Sequence, residues 1–141
     1  MQFTIDRQYW RCGGDSERPN DQAVFRRHGK NSTCLRNPHD ELMCCIGQCM
    51  AQCGVNAKAL NRQGEPRYVH PSVAPIGREI FWEEKPNLDG MHDNSSFVER
   101  AMAINDKTKT LPQREKELTA LFAEHGHELV FEGEYQKELL F

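Results

Sequence analysis

Long hydrophobic runs are missing from this sequence. No stretch approaches the ~18 apolar residues of a membrane-crossing helix, and Met1-Gln2-Phe3-Thr4-Ile5-Asp6 has neither the basic start nor the apolar run of a secretory leader. A cytoplasmic protein with no membrane partner is the expectation. An excess of one charge is missing too: 18 basic and 21 acidic residues are mixed along the chain and sum to −3, so there is no broad field to concentrate nucleic acid. The local basic cluster Arg26, Arg27, His28 and Lys30 has only Phe25 beside it as an aromatic. It reads as a solvated loop, and nucleic acid is not an expected partner. Absent as well are G-x-x-x-x-G-K-[ST], G-x-G-x-x-G, G-x-S-x-G and H-E-x-x-H. With them go the commonest phosphate-cradling, dinucleotide-binding, serine-hydrolase and zinc-protease signatures. The sequence has no internal repeat and no low-complexity tract.

What is present suffices for one core. A chain of 141 residues is near the commonest single-domain size, so residues 1–141 read as one domain. The apolar fraction of 38% is low for a globular protein, which points to a modest core, long polar loops and a surface completed by a partner.

Phe3-Thr4-Ile5-Asp6-Arg7 alternates apolar and polar residues, predicting a half-buried strand near residues 3–8 that Trp10 extends before Gly13-Gly14 breaks it. Within the polar stretch 13–32, Ala23-Val24-Phe25 reads as a short strand. From Leu42 the apolar positions Leu42, Cys45, Ile46, Cys49, Met50 and Cys53 form one face of a helix over 42–53, with Gly54 placed to end it. Asn56 caps a single turn running to Leu60. Residues 61–95 contain Pro66, Pro71, Pro75 and Pro86 with Gly64, Gly77 and Gly90 and read as a long Pro/Gly-rich loop, with Ile80-Phe81-Trp82 as its strong apolar island. A loop of that length is functional or ordered by a partner. Ser96 with Glu99 forms a capping box for a helix over 97–105, closed by Asn105-Asp106. Thr110 with Gln113 opens a helix over 111–125 that Gly126 stops. A strand follows at 128–132, and Leu139-Leu140-Phe141 forms an apolar end that should dock. This order predicts an α+β fold: a small antiparallel sheet of strands 3–8 and 128–132, with about three helices (42–53, 97–105, 111–125) packed on one face.

Six cysteines, at positions 12, 34, 44, 45, 49 and 53, would remain thiols in a reducing cytoplasm. Cys45, Cys49 and Cys53 lie on the apolar stripe, where free Cys acts as a small hydrophobe. Thiolates at i and i+4 can share zinc, but the i+8 thiol is ~12 Å along the axis from the first and cannot join the same ion. Two further ligands would have to come from Cys12, Cys34, His28, His39 or His70, and paired C-x-x-C knuckles are absent. No metal site and no cofactor is assigned; a zinc-stabilised interaction module remains a second alternative.

Cys44 lies off the stripe, about 100° around the helix from Cys45, and is the candidate nucleophile. If Asn37 is the N-cap, with Pro38 first and Asp40 completing the box, Cys44 sits a turn inside and gains little from the dipole. If the helix begins at Met43, N-terminal amides would depress the thiol pKa. His70, His92, His125 and His127 are available as bases, although His125-Gly126-His127 fits better as a helix C-terminus. Asp89-Gly90-Met91-His92-Asp93-Asn94 lacks calcium-loop spacing and reads as a solvated turn. Arg7, Trp10 and Arg11 offer a further candidate: a Trp between two Arg can stack on a planar ligand while the guanidiniums take its anionic groups. The competing reading has Trp10 capping the core with the arginines in water.

Phe3-Thr4-Ile5-Asp6-Arg7-x-x-Trp10-Arg11, Met43-Cys44-Cys45-Ile46-Gly47 with Gly54, Ala103-Ile104-Asn105-Asp106, Arg114-Glu115 and Leu121-Phe122-Ala123-Glu124-x-Gly126 resemble a group of small accessory proteins of tailed bacteriophages and prophages. The resemblance covers both ends of the chain but not 61–95. Its marks are the Cys44-Cys45 pair and Ile104-Asn105-Asp106; Cys12, Cys34, Cys49 and Cys53 are particular to this chain. It implies a setting and no catalytic residues: a protein of the host-cell cytoplasm that acts by binding, in host takeover or anti-defence, occluding a host protein or sequestering a small nucleotide-like ligand. Arg7, Trp10, Arg11, Asn105 and Asp106 form the candidate ligand-binding set, and a second copy of the chain counts among the candidate partners. The alternative from another class is a thiol-dependent hydrolase or transferase using Cys44. If Cys44, Trp10 and Asn105-Asp106 meet in one cleft, a small-molecule site is favoured; if they scatter, a protein-binding surface is.

Overall fold

The alternation at the start of the chain forms strand β1 (Gln2–Asp6), with Phe3 and Ile5 fully buried and the end residues exposed. In the computed structural model, which describes residues 1–12, 34–106 and 110–135, β1 is followed by helices α1 (Cys45–Gln52), α2 (Ala57–Leu60), α3 (Arg78–Phe81), α4 (Ser96–Asp106) and α5 (Leu111–Glu124). Strand β2 (Glu128–Glu132) follows these. The fold is mixed α+β. The expected strand at Ala23–Phe25, the basic cluster at 26–30 and the apolar end at 139–141 lie outside the described residues. Among the described residues no helix is long and apolar enough to cross a membrane.

β1 and β2 pair in parallel, Phe3 opposite Leu129 and Ile5 opposite Phe131, which corrects the antiparallel expectation. The reason lies in the last helix. α5 packs against β2 and reverses into it through His125-Gly126-His127, with Gly126 at φ 79°. A strand entered after such a reversal runs opposite to its helix, and the intervening chain serves as the crossover that a parallel pair requires. Phe122 of α5 meets Phe3 edge-on at 5.8 Å and Phe97 of α4 at 4.8 Å, which joins the sheet to both long helices.

The helices do not all lie on one face of the sheet: α1 flanks the free edge of β1. Gln52 accepts from the Thr4 amide at 2.9 Å and donates to its carbonyl at 2.7 Å; Gln48 does the same at Asp6, at 2.8 and 3.1 Å. Two carboxamides one helical turn apart thereby supply the hydrogen bonds of a missing third strand.

α1 starts at Cys45, three residues later than the 42–53 reading. Glu41 adopts φ 64°, and Met43 is drawn into a parallel bridge with Trp10 through Arg11 N–H to Met43 O (2.9 Å) and Met43 N–H to Tyr9 O (2.8 Å). Asn37 caps only a local turn, accepting from the His39 amide. α4 is capped one residue earlier than expected: the Ser95 hydroxyl accepts from Val98 N–H and donates to Ile80 O, and the helix continues through Asn105-Asp106. α5 begins as read, with Thr110 accepting from Gln113 N–H at 3.3 Å.

The 61–95 segment contains α3 and two 3-10 turns, at Pro66–Tyr68 and Pro71–Val73. It is fixed from within. The Trp82 indole donates to Pro66 O at 2.8 Å, and Asn94 accepts from the Arg67 amide while donating to Glu65 and Glu99.

Gly47 gives a direct test of this packing. A Cβ there would lie 1.9 Å from the Leu35 carbonyl oxygen, so Gly47→Ala should destabilise the fold by about 3 kcal/mol, read as a lower denaturant midpoint with an unchanged slope.

Candidate functional site

Of the residues marked by the sequence, Trp10, Arg11 and Asp106 converge on the side chain of Asn105, while Arg7 does not. Its Oδ1 accepts from the Trp10 indole N–H at 2.7 Å and from the Cys45 amide at 3.2 Å. Its Nδ2 donates to Arg11 O and to Asp106 Oδ1, each at 3.0 Å. The Asn105 carbonyl accepts from Nη1 of Arg114 at 3.1 Å. A buried amide, indole or guanidinium without partners costs 1–3 kcal/mol or more, and here each makes hydrogen bonds with its neighbours.

This cluster is core and not a cleft. Asn105 is 1% exposed, Trp10 3%, Arg11 4% and Arg114 0%. The Trp10 ring packs on Phe131 at 5.1 Å, so neither stacking on a planar ligand nor an outward-facing Arg11 is realised. Trp10 does cap the core, but Arg11 is buried with it. Arg7 is committed as well: Nε and Nη2 form a two-pronged pair with Glu115 at 2.9 and 2.7 Å, and Nη1 donates to Gly133 O. Tyr135 donates its hydroxyl to the same carboxylate, and burial followed by that carboxylate pushes its pKa upward. Asp106 belongs to the cluster through Asn105.

Cys44 occupies the N-cap of α1, and its Sγ accepts from the Gly47 amide at 3.4 Å. This is close to the geometry in which helix amides would acidify a thiol. Burial outweighs them: the residue is 4% exposed, and loss of hydration raises its pKa well above the ordinary value despite the opposing Gly47 hydrogen bond. Cys49 is raised likewise, by burial first and then by its contact with Cys45. The stripe Cys45, Cys49 and Cys53 is fully embedded in the core. Among the described residues, no three His, Cys, Asp or Glu are grouped to hold a metal ion.

One accessible concavity, of about 540 Å³, lies beside Arg7 and is lined by Pro112, Glu115, Gly133, Glu134 and Tyr135 as well; two others lie on the 61–95 segment. A groove of about 420 Å³ on the 61–95 segment is lined by His70, Pro71, Ser72, Arg78, Glu79, Trp82, Glu83, Glu84 and His92. His70 Nδ1 accepts from the Ser72 amide at 3.1 Å and lies 2.7 Å from its hydroxyl; His92 Nδ1 lies 2.9 Å from Glu83 O. Arg78 donates Nε to Ala74 O. None of Glu79, Glu83 and Glu84 forms a salt bridge with a described residue. An adjoining hollow of about 250 Å³ shares His70, Pro71 and His92 and adds Arg67, Tyr68 and Met91. Of these residues the sequence marks His70 and His92 as candidate bases, His70 also as a possible zinc ligand, and Met91 and His92 within the solvated turn 89–94. The apolar island Ile80-Phe81-Trp82 was the one signal that something anchors this segment.

The chain is thus a mixed α+β protein with a buried asparagine-centred polar cluster and an outward groove on an irregular, internally pinned segment. No protein-family model, no curated protein and no solved structure matches it.

The state of Cys44 has a pH consequence. A thiol whose pKa is raised on folding stays protonated in the native chain while the unfolded chain releases its proton, so stability is full below the ordinary value of 9.0 and falls as pH rises beyond it. Denaturant midpoints should therefore drop between neutral pH and pH above that value. Iodoacetamide should label Cys44 only under unfolding conditions; labelling in the native state at the rate of a free thiol would show the site to be open.

Proposed function

We propose that the chain acts by binding, as an accessory protein of the tailed-phage kind whose residue pattern it resembles, and that it occludes a host protein through the surface built by residues 61–95. One observation carries this reading. Of the six exposed large apolar side chains among the described residues, four belong to this segment: Tyr68, Ile76, Leu88 and Met91. They stand on a backbone fixed from within by Trp82 and Asn94. Leu88 tops a turn in which Asn87 Oδ1 accepts from the Asp89 and Met91 amides. Apolar groups held outward on a fixed frame suit a partner surface. The setting is the host-cell cytoplasm, where the thiols stay reduced.

A host protein is favoured over a nucleotide-like ligand. Trp10, Arg11 and Asn105 are spent in the core and Arg7 on Glu115, and the groove on 61–95 sets three glutamates against Arg78, a balance that repels phosphate. The buried, protonated thiol of Cys44 weighs against a thiol-dependent hydrolase or transferase, and zinc has no assembled ligand set among the described residues.

The immobilised chain should retain a host protein from bacterial lysate, and the double variant Tyr68→Asp/Leu88→Asp should lose it while keeping its thermal midpoint within about 1 °C, since both side chains are exposed. Retention by the double variant, or a rise in melting temperature with a nucleotide second messenger, contradicts the reading.

A further inference from the structure

The two edges of the sheet differ in their hydrogen bonding. Along β1 the outward groups of Thr4 and Asp6 are all taken by Gln52 and Gln48. Along β2 the Glu128 amide donates to Met1 O. By strand alternation Val130 and Glu132 also face β1, while the N–H and C=O of Leu129 and Phe131 face away from it. Among the described residues, no backbone or side-chain hydrogen bond reaches those outward groups. Leu129 and Phe131 send their side chains to the same side as Phe3 and Ile5, toward the core. Glu128 and Glu132 lie exposed at the two ends, on the opposite face with Val130 between them.

An unpaired edge is a template for another strand, and natural proteins cover it, charge it or use it. Here one edge is covered and the other is charged at both ends. We propose that β2 receives an extended segment of a partner protein as a third strand, and that this segment places Lys or Arg opposite Glu128 and Glu132 around an apolar residue opposite Val130. The carboxylates select the occupant. A second copy of this chain paired antiparallel in full register would set Glu128 against Glu132 twice, and like charges directly across a sheet are unfavourable. A basic segment converts the same two positions into cross-strand ion pairs. The recognition pattern is basic, any, apolar, any, basic, with affinity from the Leu129 and Phe131 backbone and selectivity from the glutamates. The inference uses a different surface from the 61–95 segment and stands without it.

Amide hydrogen exchange on the full-length chain tests this. In the free protein the Leu129 and Phe131 amides should exchange quickly while those of Thr4 and Asp6 are protected by the glutamines. A synthetic decapeptide of alternating valine and threonine with lysines spaced four apart should slow Leu129 and Phe131 exchange by about tenfold or more; the same peptide with glutamates should not. The double variant Glu128→Lys/Glu132→Lys, altered only at exposed positions, should reverse the preference. Slow exchange of both amides in the free chain overturns the proposal. So does protection by neither peptide, or an unchanged preference in the double variant.

Discussion

The structure depends on the carboxamide of Asn105. This one side chain satisfies an indole, a helix-starting amide and a loop carbonyl, and its backbone accepts from a fully buried arginine. It ties the segment after β1, the start of α1, the end of α4 and the body of α5 to one point. An isosteric carboxylate could accept at Oδ1 but could not donate to Arg11 O, and an apolar residue would strand several buried donors at once. The members of the cluster share partners through Asn105, so removing that one side chain would strand the Trp10 indole and the Cys45 amide together.

Much of the fold could be read from the sequence. Both strands, the caps and stops of α5, the single turn at α2 and the apolar stripe of α1 follow local rules of periodicity and capping, and the structure obeys them. Strand direction does not follow from such rules. It is set by how α5 lies against the sheet, a tertiary fact. α1 starts later than its apolar stripe because Met43 is taken up in the bridge to Trp10 and Glu41 adopts the left-handed conformation before it.

Trp10, Arg11, Asn105 and Asp106 meet in the fold, as a buried cluster. Trp, Arg and a nearby amide are what a planar anionic ligand requires, and they are equally what a buried polar cluster requires; a pattern of residue types cannot distinguish the two. Exposure decides, and here it assigns Trp10, Arg11 and Asn105 to the interior. The 61–95 segment carries no motif because it is shaped by scattered side chains such as Trp82 and Asn94.

The glutamines of α1 also bear on the order in which the chain is assembled. β2 emerges from the ribosome roughly 120 residues after β1, many seconds later at the usual pace of synthesis. α1 emerges far sooner. In the native fold the bonds from Gln52 and Gln48 to β1 span only 48 and 42 residues, a far shorter loop to close than the one that brings β2 to the same strand.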